Sequence, residues 1–294
     1  MSTILVIGST GNIGSFVVKE LIKRGASVKA AVTNSDRGKT FFSDLPEVEV
    51  ITFDFLSPST YKDSLKNVKK VFLVRPPQLA HPKQDILPFL QAAKSAGVEH
   101  IVFVSLIGVE KNPVVPHHKI EKYIMELGFH YTFLRPSFFM QNLNTTHRED
   151  IALRNELFVP VGKGKTSFID TRDIGEAAAI CLTEPGHVNR KYDLTGSEAL
   201  TYEDIALIMS KVLKRRIEYK NPNVFTFRKV SMKRGMPKDF VNVMSILYTM
   251  TKWGTARLVT NDLEAILNRP PIQFEQYVKD YKQEFVIETQ HEPD

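Results

Sequence analysis

The sequence predicts an α/β fold: a Rossmann-like, doubly wound parallel sheet with a smaller, mixed and mostly helical C-terminal lobe. Three observations carry this. The chain opens on four apolar residues, Ile4-Leu5-Val6-Ile7, the pattern of a strand buried on both faces. Glycines then fall at a spacing of three, at Gly8, Gly11 and Gly14, and Phe16, Val17, Leu21 and Ile22 follow a helical period. Beyond them, short apolar runs alternate with helical ones as far as Pro136, which implies right-handed crossovers in a parallel sheet.

Each element follows in order. After the turn at Arg24-Gly25, Ser27 to Val32 reads as the second strand, Val48 to Phe53 as the third and Lys70 to Val74 as the fourth. Pro58 to Leu65 reads as a short helix capped by Ser57 or Ser59. A longer helix, Gln84 to Ala96, aligns Ile86, Leu87, Leu90 and Ala93 on one stripe and stops at Gly97. His100 to Val104 gives a fifth strand, Ile120 to Leu127 a helix ending at Gly128, and Tyr131 to Leu134 a sixth strand. These observations set a nucleotide-binding domain at residues 1–136 and a substrate lobe, interleaved with it, at 137–294.

The second part mixes extended pieces (Leu157 to Val161, Thr166 to Ile169, Lys191 to Leu194, Ile217 to Tyr219) with helices at Thr171 to Leu182 and Tyr202 to Leu213. From Pro222 the pattern is helical, clearest at Pro237 to Lys252 and Gln273 to Glu284, and Gln290 to Asp294 reads as a frayed tail.

Bulk composition narrows the function classes. Hydrophobic residues make up 43% and charged residues 24% of 294 positions, ordinary for a globular chain with a full core. No apolar run approaches the roughly 20 residues that span a bilayer, and Met1-Ser2-Thr3 lacks the basic start of a signal peptide. The single cysteine, Cys181, lies in the apolar run Ala177 to Leu182, where a buried structural thiol is expected, and no Cys-cluster metal site exists. A cytoplasmic address follows. The net charge of +6 is modest, and the basic runs Lys211 to Arg216 and Arg228 to Arg234 carry no nucleic-acid signature. They read as solvated faces or as a patch for an anionic cofactor.

The opening strand, glycine turn and helix form a pyrophosphate cradle. The first glycine permits a sharp turn, the second admits phosphate close to backbone, and the third lets helix pack on strand. Free N–H groups at the helix start face the anion. Gly8, Ser9, Thr10, Gly11, Asn12, Ile13 and Gly14 are therefore the expected phosphate-binding residues. The end of the second strand selects the cofactor. An acid there would hold the ribose hydroxyls of NAD, whereas a basic residue would take the 2′-phosphate of NADP. This chain has Thr33, Asn34, Ser35, Asp36 and Arg37; Arg37 with Lys39 favours NADP, and Asp36 keeps NAD open. Asp54-Phe55 is placed to contact adenine, or Asp54 caps the turn that follows.

With these motifs in view, the chain resembles the NmrA-like branch of the atypical short-chain dehydrogenases/reductases over nearly its whole length. The resemblance rests on Gly8-x-x-Gly11-x-x-Gly14, Phe72 to Pro77, Val104-Ser105 and Tyr131 to Pro136 followed by Phe138 to Asn142. Phe168 to Ile174 and Tyr192 to Gly196 complete it. By resemblance, the loop Val74-Arg75-Pro76-Pro77 lies along the cofactor, and Pro136 to Phe139, with Phe138, lines the nicotinamide side. The family holds NAD(P)H-dependent quinone and dye reductases, phenolic-ether reductases, and NADP-binding redox sensors of transcription factors. Two departures stand out. Many members carry Arg after the second strand, where this chain has Thr33. The Tyr-x-x-x-Lys pair of typical short-chain dehydrogenases occurs only at Tyr248 and Lys252, where an amphipathic helix explains the spacing.

Between the fifth strand and the next helix, Pro116-His117-His118-Lys119 offers chemistry. Relatives with a lysine four residues before the glutamate matching Glu121 place it at His117. A histidine exchanges a proton near neutral pH; Lys119 could hold a ribose hydroxyl, and Ser105 a substrate carbonyl. The alternative for all three is a capped strand or helix end. Hydride transfer to a quinone-like acceptor needs little acid/base apparatus. Phe138, Phe139, Met140, Met232, Met236, Met244 and Met250 offer a soft apolar wall for a flat aromatic substrate, or simply core. The expected function is an NAD(P)H-dependent reductase of a small conjugated molecule; the alternative is a non-catalytic NADP sensor with a protein partner. A sugar-nucleotide epimerase is disfavoured by the missing Tyr-x-x-x-Lys.

Overall fold

The computed structural model describes residues 3–286, so the predicted tail at Gln290 to Asp294 lies outside the described residues. The chain divides into two compact units. The first takes Met1–Pro136, Thr171–Leu194 and Asp262–Arg269; the second takes Ser137–Asp170, Thr195–Asn261 and Pro270–Asp294.

In the first unit, six strands run in chain order: β1 (Thr3–Ile7), β2 (Val28–Val32), β3 (Glu49–Thr52), β4 (Val68–Val74), β5 (His100–Val104) and β6 (His130–Pro136). All are parallel and lie in the order β3-β2-β1-β4-β5-β6, with Arg190–Leu194 as a seventh parallel strand beside β6. The order reverses at β1, between β2 and β4, so a crevice opens beyond the carboxyl ends of those strands. The helices are α1 (Gly14–Lys23), α2 (Ser35–Phe41), α3 (Tyr61–Leu65), α4 (Pro82–Asp85), α5 (Leu87–Ser95) and α6 (Pro116–Glu126).

Strand alternation sends Leu5, Ile7, Leu73, Phe103 and Phe133 to one face, where they meet Tyr61, Phe89 and Ile120 of α3, α5 and α6. On the other side α1 packs against the Thr171–Thr183 helix. Gly175 makes that approach possible, because a Cβ there would lie 2.5 Å from Cβ of Phe16. Arg135 at the end of β6 ties down α6: its guanidinium donates to both carboxylate oxygens of Glu121, at 3.0 and 2.7 Å, and reaches Glu110 at 3.2 Å. Such a forked pair is directional as well as strong, and it ties the second turn of α6 to the end of β6.

Among the elements that differ from the sequence reading, which does not foresee the helices Ser35–Phe41 and Arg148–Arg154, three have a clear physical cause. The expected Gln84 to Ala96 helix breaks into α4 and α5, since Pro88 has no N–H to give the carbonyl four residues back. Helix α6 begins at Pro116 rather than Ile120, because proline fits the first helical turn, where its N–H would have no partner anyway. Lys191 to Leu194, read as part of the second half, is instead the sheet's seventh strand, pairing Leu134 with Tyr192.

The second unit has a parallel pair, Glu156–Phe158 with Glu218–Lys220, and an antiparallel pair, Lys165–Thr166 with Leu200–Thr201. Around them lie the helices Tyr202–Leu213, Val224–Lys233, Lys238–Lys252 and Phe274–Asp280. Thr201 and Asp204 form a reciprocal capping box at the start of the first of these. Its core gathers Leu157, Ile205, Met209, Tyr248, Phe274 and Tyr277. No helix among the described residues is long and apolar enough to cross a membrane.

The close approach at Gly175 sets a test of packing. Alanine there gains about 1 kcal/mol of helix propensity, yet overpacking a filled interface costs about 1–3 kcal/mol. Because the added carbon also meets the Phe16 backbone at 3.1 Å, Gly175→Ala should be net destabilising and lower the urea midpoint.

Candidate functional site

The reversal at β1 places the glycine turn at the mouth of the crevice. Gly8 has φ of +73°, a left-handed conformation that a side chain would strain. The Gly11 N–H donates to the Gly8 carbonyl at 3.0 Å and closes the turn. A Cβ on Gly14 would lie 2.1 Å from the Gly8 oxygen, whereas one on Gly11 would lie 3.2 Å from it. Gly14 is therefore the tightest of the three. Helix α1 starts here with no side-chain cap and no acid in its first turn. The N–H groups of Ser15 and Phe16 already donate to the carbonyls of Gly11 and Ile13 at 3.1 and 3.0 Å, so the N–H groups just before them and the positive helix dipole face an anion, which fits a pyrophosphate.

Within this loop the residues divide their work. Ser9 is buried, and its hydroxyl donates to the Ala31 carbonyl at 2.8 Å, so its side chain ties the loop to β2 and only its backbone remains for phosphate. Thr10, Gly11 and Asn12 are exposed, while Ile13 is buried and anchors the helix start. A Cβ on Gly8 would touch the Val74 side chain at 3.5 Å, so the end of β4 forms the loop's opposite wall.

The cofactor-selecting positions follow β2. Thr33 is exposed, and the Asn34 side chain accepts from the Arg37 N–H at 3.0 Å as the cap of α2. Asn34 is thereby occupied, leaving Arg37 and Lys39 as exposed cations at this edge, with Asp36 exposed beside them. After β3, the Asp54 carboxylate accepts from the Leu56 N–H at 2.9 Å, the turn-capping alternative of the sequence reading. The adenine contact expected of Asp54-Phe55 falls to backbone rather than to the Phe55 ring. Phe55 is 5% exposed and packs edge-on against Phe53 and Phe89, so burial of the ring removes it from the crevice.

Beyond β4 the chain turns through Arg75-Pro76-Pro77. Two prolines supply carbonyls without N–H groups, and Arg75 makes up the deficit. Its Nη1 donates to the carbonyls of Pro76, Pro77 and Leu79 at 2.9, 3.0 and 2.9 Å. The guanidinium is a splint for this loop. Register pairs Val74 with Val104, so Arg75 and Ser105 leave adjacent strands side by side.

Three buried polar atoms in this region have no hydrogen-bond partner: Arg75 Nε, Ser105 Oγ and His117 Nδ1. Buried polar atoms without partners are uncommon, and their gathering near one strand end marks a place built for something polar. His117 stands in the first turn of α6 with its ring stacked on Phe103, centroids 5.9 Å apart. Burial, followed by the nearby Arg75 charge, pushes its pKa down to about 3. His117 is therefore neutral at ordinary pH, which corrects the expectation of a proton exchanger titrating near neutrality; it keeps a hydrogen-bonding nitrogen. His118 Nδ1 lies 3.1 Å from the Val109 carbonyl, and Lys119 is exposed on the same turn. Phe103 escaped the sequence reading, although strand alternation puts it on the face of Ser105 two residues on.

Pro136 is buried at the end of β6 in the first unit. Phe138 belongs to the second unit, half-buried, with its ring 6.5 Å from that of Phe168. Met140 is core at 2% exposure, Met236 and Met244 pack on the core's edge, and Met232 and Met250 are exposed at 41% and 38%. Tyr248, the tyrosine of the stray Tyr-x-x-x-Lys, is 1% exposed in the second unit's core, with its hydroxyl 2.7 Å from His147 Nε2. Burial raises its pKa far above the usual phenol range, so it exchanges no proton. Cys181 is buried with its thiol pushed up to about 12, an inert structural residue.

A model of the NmrA-like family matches residues 1–277. The chain is 29% identical over 279 residues to prestalk A differentiation protein A of Dictyostelium discoideum, covering 95% of this chain and 92% of that one. It is 31% identical over 280 residues to the NAD(P)H azoreductase of Xenophilus azovorans, covering 94% of this chain and 96% of that one. Among solved structures, it superposes with a TM-score of 0.86 on the NADPH-dependent quinone oxidoreductase QOR2 of Escherichia coli complexed with NADPH. That match covers 95% of this chain and 99% of that one at 21% identity, a likeness of fold.

Two outcomes test the site. Gly14→Ala should weaken NADPH binding at least about tenfold, equivalent to about 1.4 kcal/mol, in a fluorescence titration, because its Cβ meets backbone at 2.1 Å. Gly11→Leu should abolish binding, whereas Gly11→Ala should cost less than Gly14→Ala; the opposite order would refute the cradle geometry. The second outcome concerns acid. The unfolded chain protonates His117 near 6.5, but the folded chain does so only near 3. Unfolded chains bind more protons between those values, so stability must fall as pH drops through that window, by up to about 1.4 kcal/mol per unit for one such histidine. His117→Gln should flatten this slope in urea unfolding measured at successive pH values.

Proposed function

The chain belongs to the NmrA-like family, and on that premise we propose that it is an NAD(P)H-dependent reductase of a quinone or similar conjugated small molecule. The observation that carries the reading is the glycine cradle at a helix start without a side-chain cap, where a Cβ on Gly14 would lie 2.1 Å from the Gly8 oxygen. The full-length likeness to a protein named NAD(P)H azoreductase supports the chemistry.

The bound cofactor supplies the hydride. The chain's own residues do the rest. Thr10 to Ile13 and the α1 N-terminus hold the pyrophosphate, and the Arg75 splint keeps the Pro76-Pro77 wall in place beside it. Arg37 and Lys39 offer charge to a 2′-phosphate, which favours NADP over NAD. Ser105 and neutral His117 are hydrogen-bonding groups for a carbonyl oxygen, and Lys119 is placed to meet a ribose hydroxyl. A quinone reduced in this way takes its proton from water, so no titrating side chain is required. The single cysteine, free and buried, agrees with a cytoplasmic setting.

Two observations are equally compatible with a sensor, the second reading, which needs no catalytic group at all: His117 is neutral, and the only Tyr-x-x-x-Lys tyrosine is locked in a core. The readings part in one experiment. With NADPH bound, addition of a panel of quinones should consume reduced-nicotinamide absorbance, and NADH should serve less well than NADPH. Tight NADPH binding with silence across the panel would reject the reductase and leave the sensor. Arg37→Glu should reduce the preference for NADPH over NADH about tenfold, a shift of about 1.4 kcal/mol between the two.

A further inference from the structure

The second unit carries a feature that the cradle does not explain. The Val224–Lys233 and Lys238–Lys252 helices are joined by a short connection and pack on each other, the ring of Phe227 meeting that of Tyr248 with centroids 5.5 Å apart. Between them runs a groove of about 470 Å³, within the range of small-ligand sites. Its apolar walls are Val224, Ile246, Met250 and Trp253; Arg228, Asn242, Ser245 and Thr249 are polar, and the hydroxyls of the last two donate to carbonyls of their own helix. At 1.5 Å per helical residue, the span from Asn242 to Trp253 is about 16 Å, the length of a two- or three-ring molecule.

The two ends differ. Along their helices, Val224 and Trp253 lie away from the connecting turn, while Arg228 and Asn242 lie nearer to it. Trp253 is 77% exposed and Ile246 62%, a large apolar surface left to solvent. At the other end, Arg228 makes no ion pair among the described residues, and no acid lines the groove; Asp239 is one turn away and outside it. Asn242 adds a buried amide oxygen without a partner. An aromatic and thioether wall suits a flat π-system. A guanidinium without a carboxylate suits an anion, and the amide oxygen suits a hydroxyl or amino donor on the same molecule.

We propose that the groove between these two helices is a binding site for a planar aromatic anion, its rings on Trp253 and Met250 and its anionic group on Arg228. This does not depend on the reductase reading, because the site lies wholly on the second unit and its occupation needs no cofactor.

Trp253 is the chain's only tryptophan, so its emission reports the groove directly. The probe is anthraquinone-2-sulfonate, compared with the same ring system carrying a quaternary ammonium in place of sulfonate. The full chain should show saturable quenching by the sulfonate, at least about tenfold tighter than by the cation. Arg228→Ala should remove that preference, and Ile246→Glu should remove saturation. Both side chains reach solvent, and an unchanged melting temperature would confirm that the variants fold. Quenching that rises linearly and equally for both probes would overturn the proposal. So would sedimentation showing that the chain self-associates through this face, with Ile246→Glu yielding monomers, since the groove would then belong to a second copy.

Discussion

The rest of the first unit depends on one contact: the carbonyl of Gly8 against the α-carbon of Gly14. With any side chain at position 14, a carbon would sit 2.1 Å from that oxygen, and either the turn would open or the helix would move away. The contact sets the angle at which α1 leaves β1. That angle decides where the free N–H groups point and how α1 meets the Thr171–Thr183 helix across Gly175. One steric constraint thus fixes both an anion site and a packing interface. Sheet register carries the geometry outward, since Val6 pairs with Phe72 and Val74 with Val104, placing the loop after β4 and Ser105 after β5 on the same edge.

At that edge the chain spends polar groups unusually. Arg75 binds three carbonyls of its own loop and still leaves Nε without a partner. Its charge also lies near His117 and helps keep that ring neutral. A cation splint and a titrating histidine would oppose each other here. The structure resolves the conflict in favour of the splint. The result is an edge with hydrogen-bond donors and acceptors in which His117 stays neutral at ordinary pH, an arrangement suited to holding polar atoms still.

What the sequence made legible follows from how local each constraint is. Strand, glycine turn and α1 could be read because the residues that define them lie within a few positions of one another. The capping role of Asp54 was equally local and was weighed as an alternative. Arg190–Leu194 could not be placed, since its pairing with β6 joins residues more than fifty positions apart and its burial is incomplete. Phe55 misled because a residue at a strand end can face either the core or the crevice, and only the positions of Phe53, Tyr61 and Phe89 decide it. His117 misled for the same reason. Its pKa is set by Phe103 and Arg75, brought to it by β5 and β4, and no spacing within Pro116-His117-His118-Lys119 records them.

The two units consequently hold different kinds of information. In the first, backbone geometry does the binding: carbonyls, N–H groups and the absence of Cβ atoms, which tolerate few substitutions and show as glycine spacing. In the second, recognition falls to side chains on helices, where Met, Ile and Trp are as consistent with core as with surface. Only exposure separates the two cases. Met140 and Met209 turn out to be core, while Met250 and Trp253 face solvent on the same helical lobe. A chain can therefore declare its cofactor class in a dozen residues at its start, whereas a groove such as the proposed one becomes visible only in the solvent exposure of a helix pair.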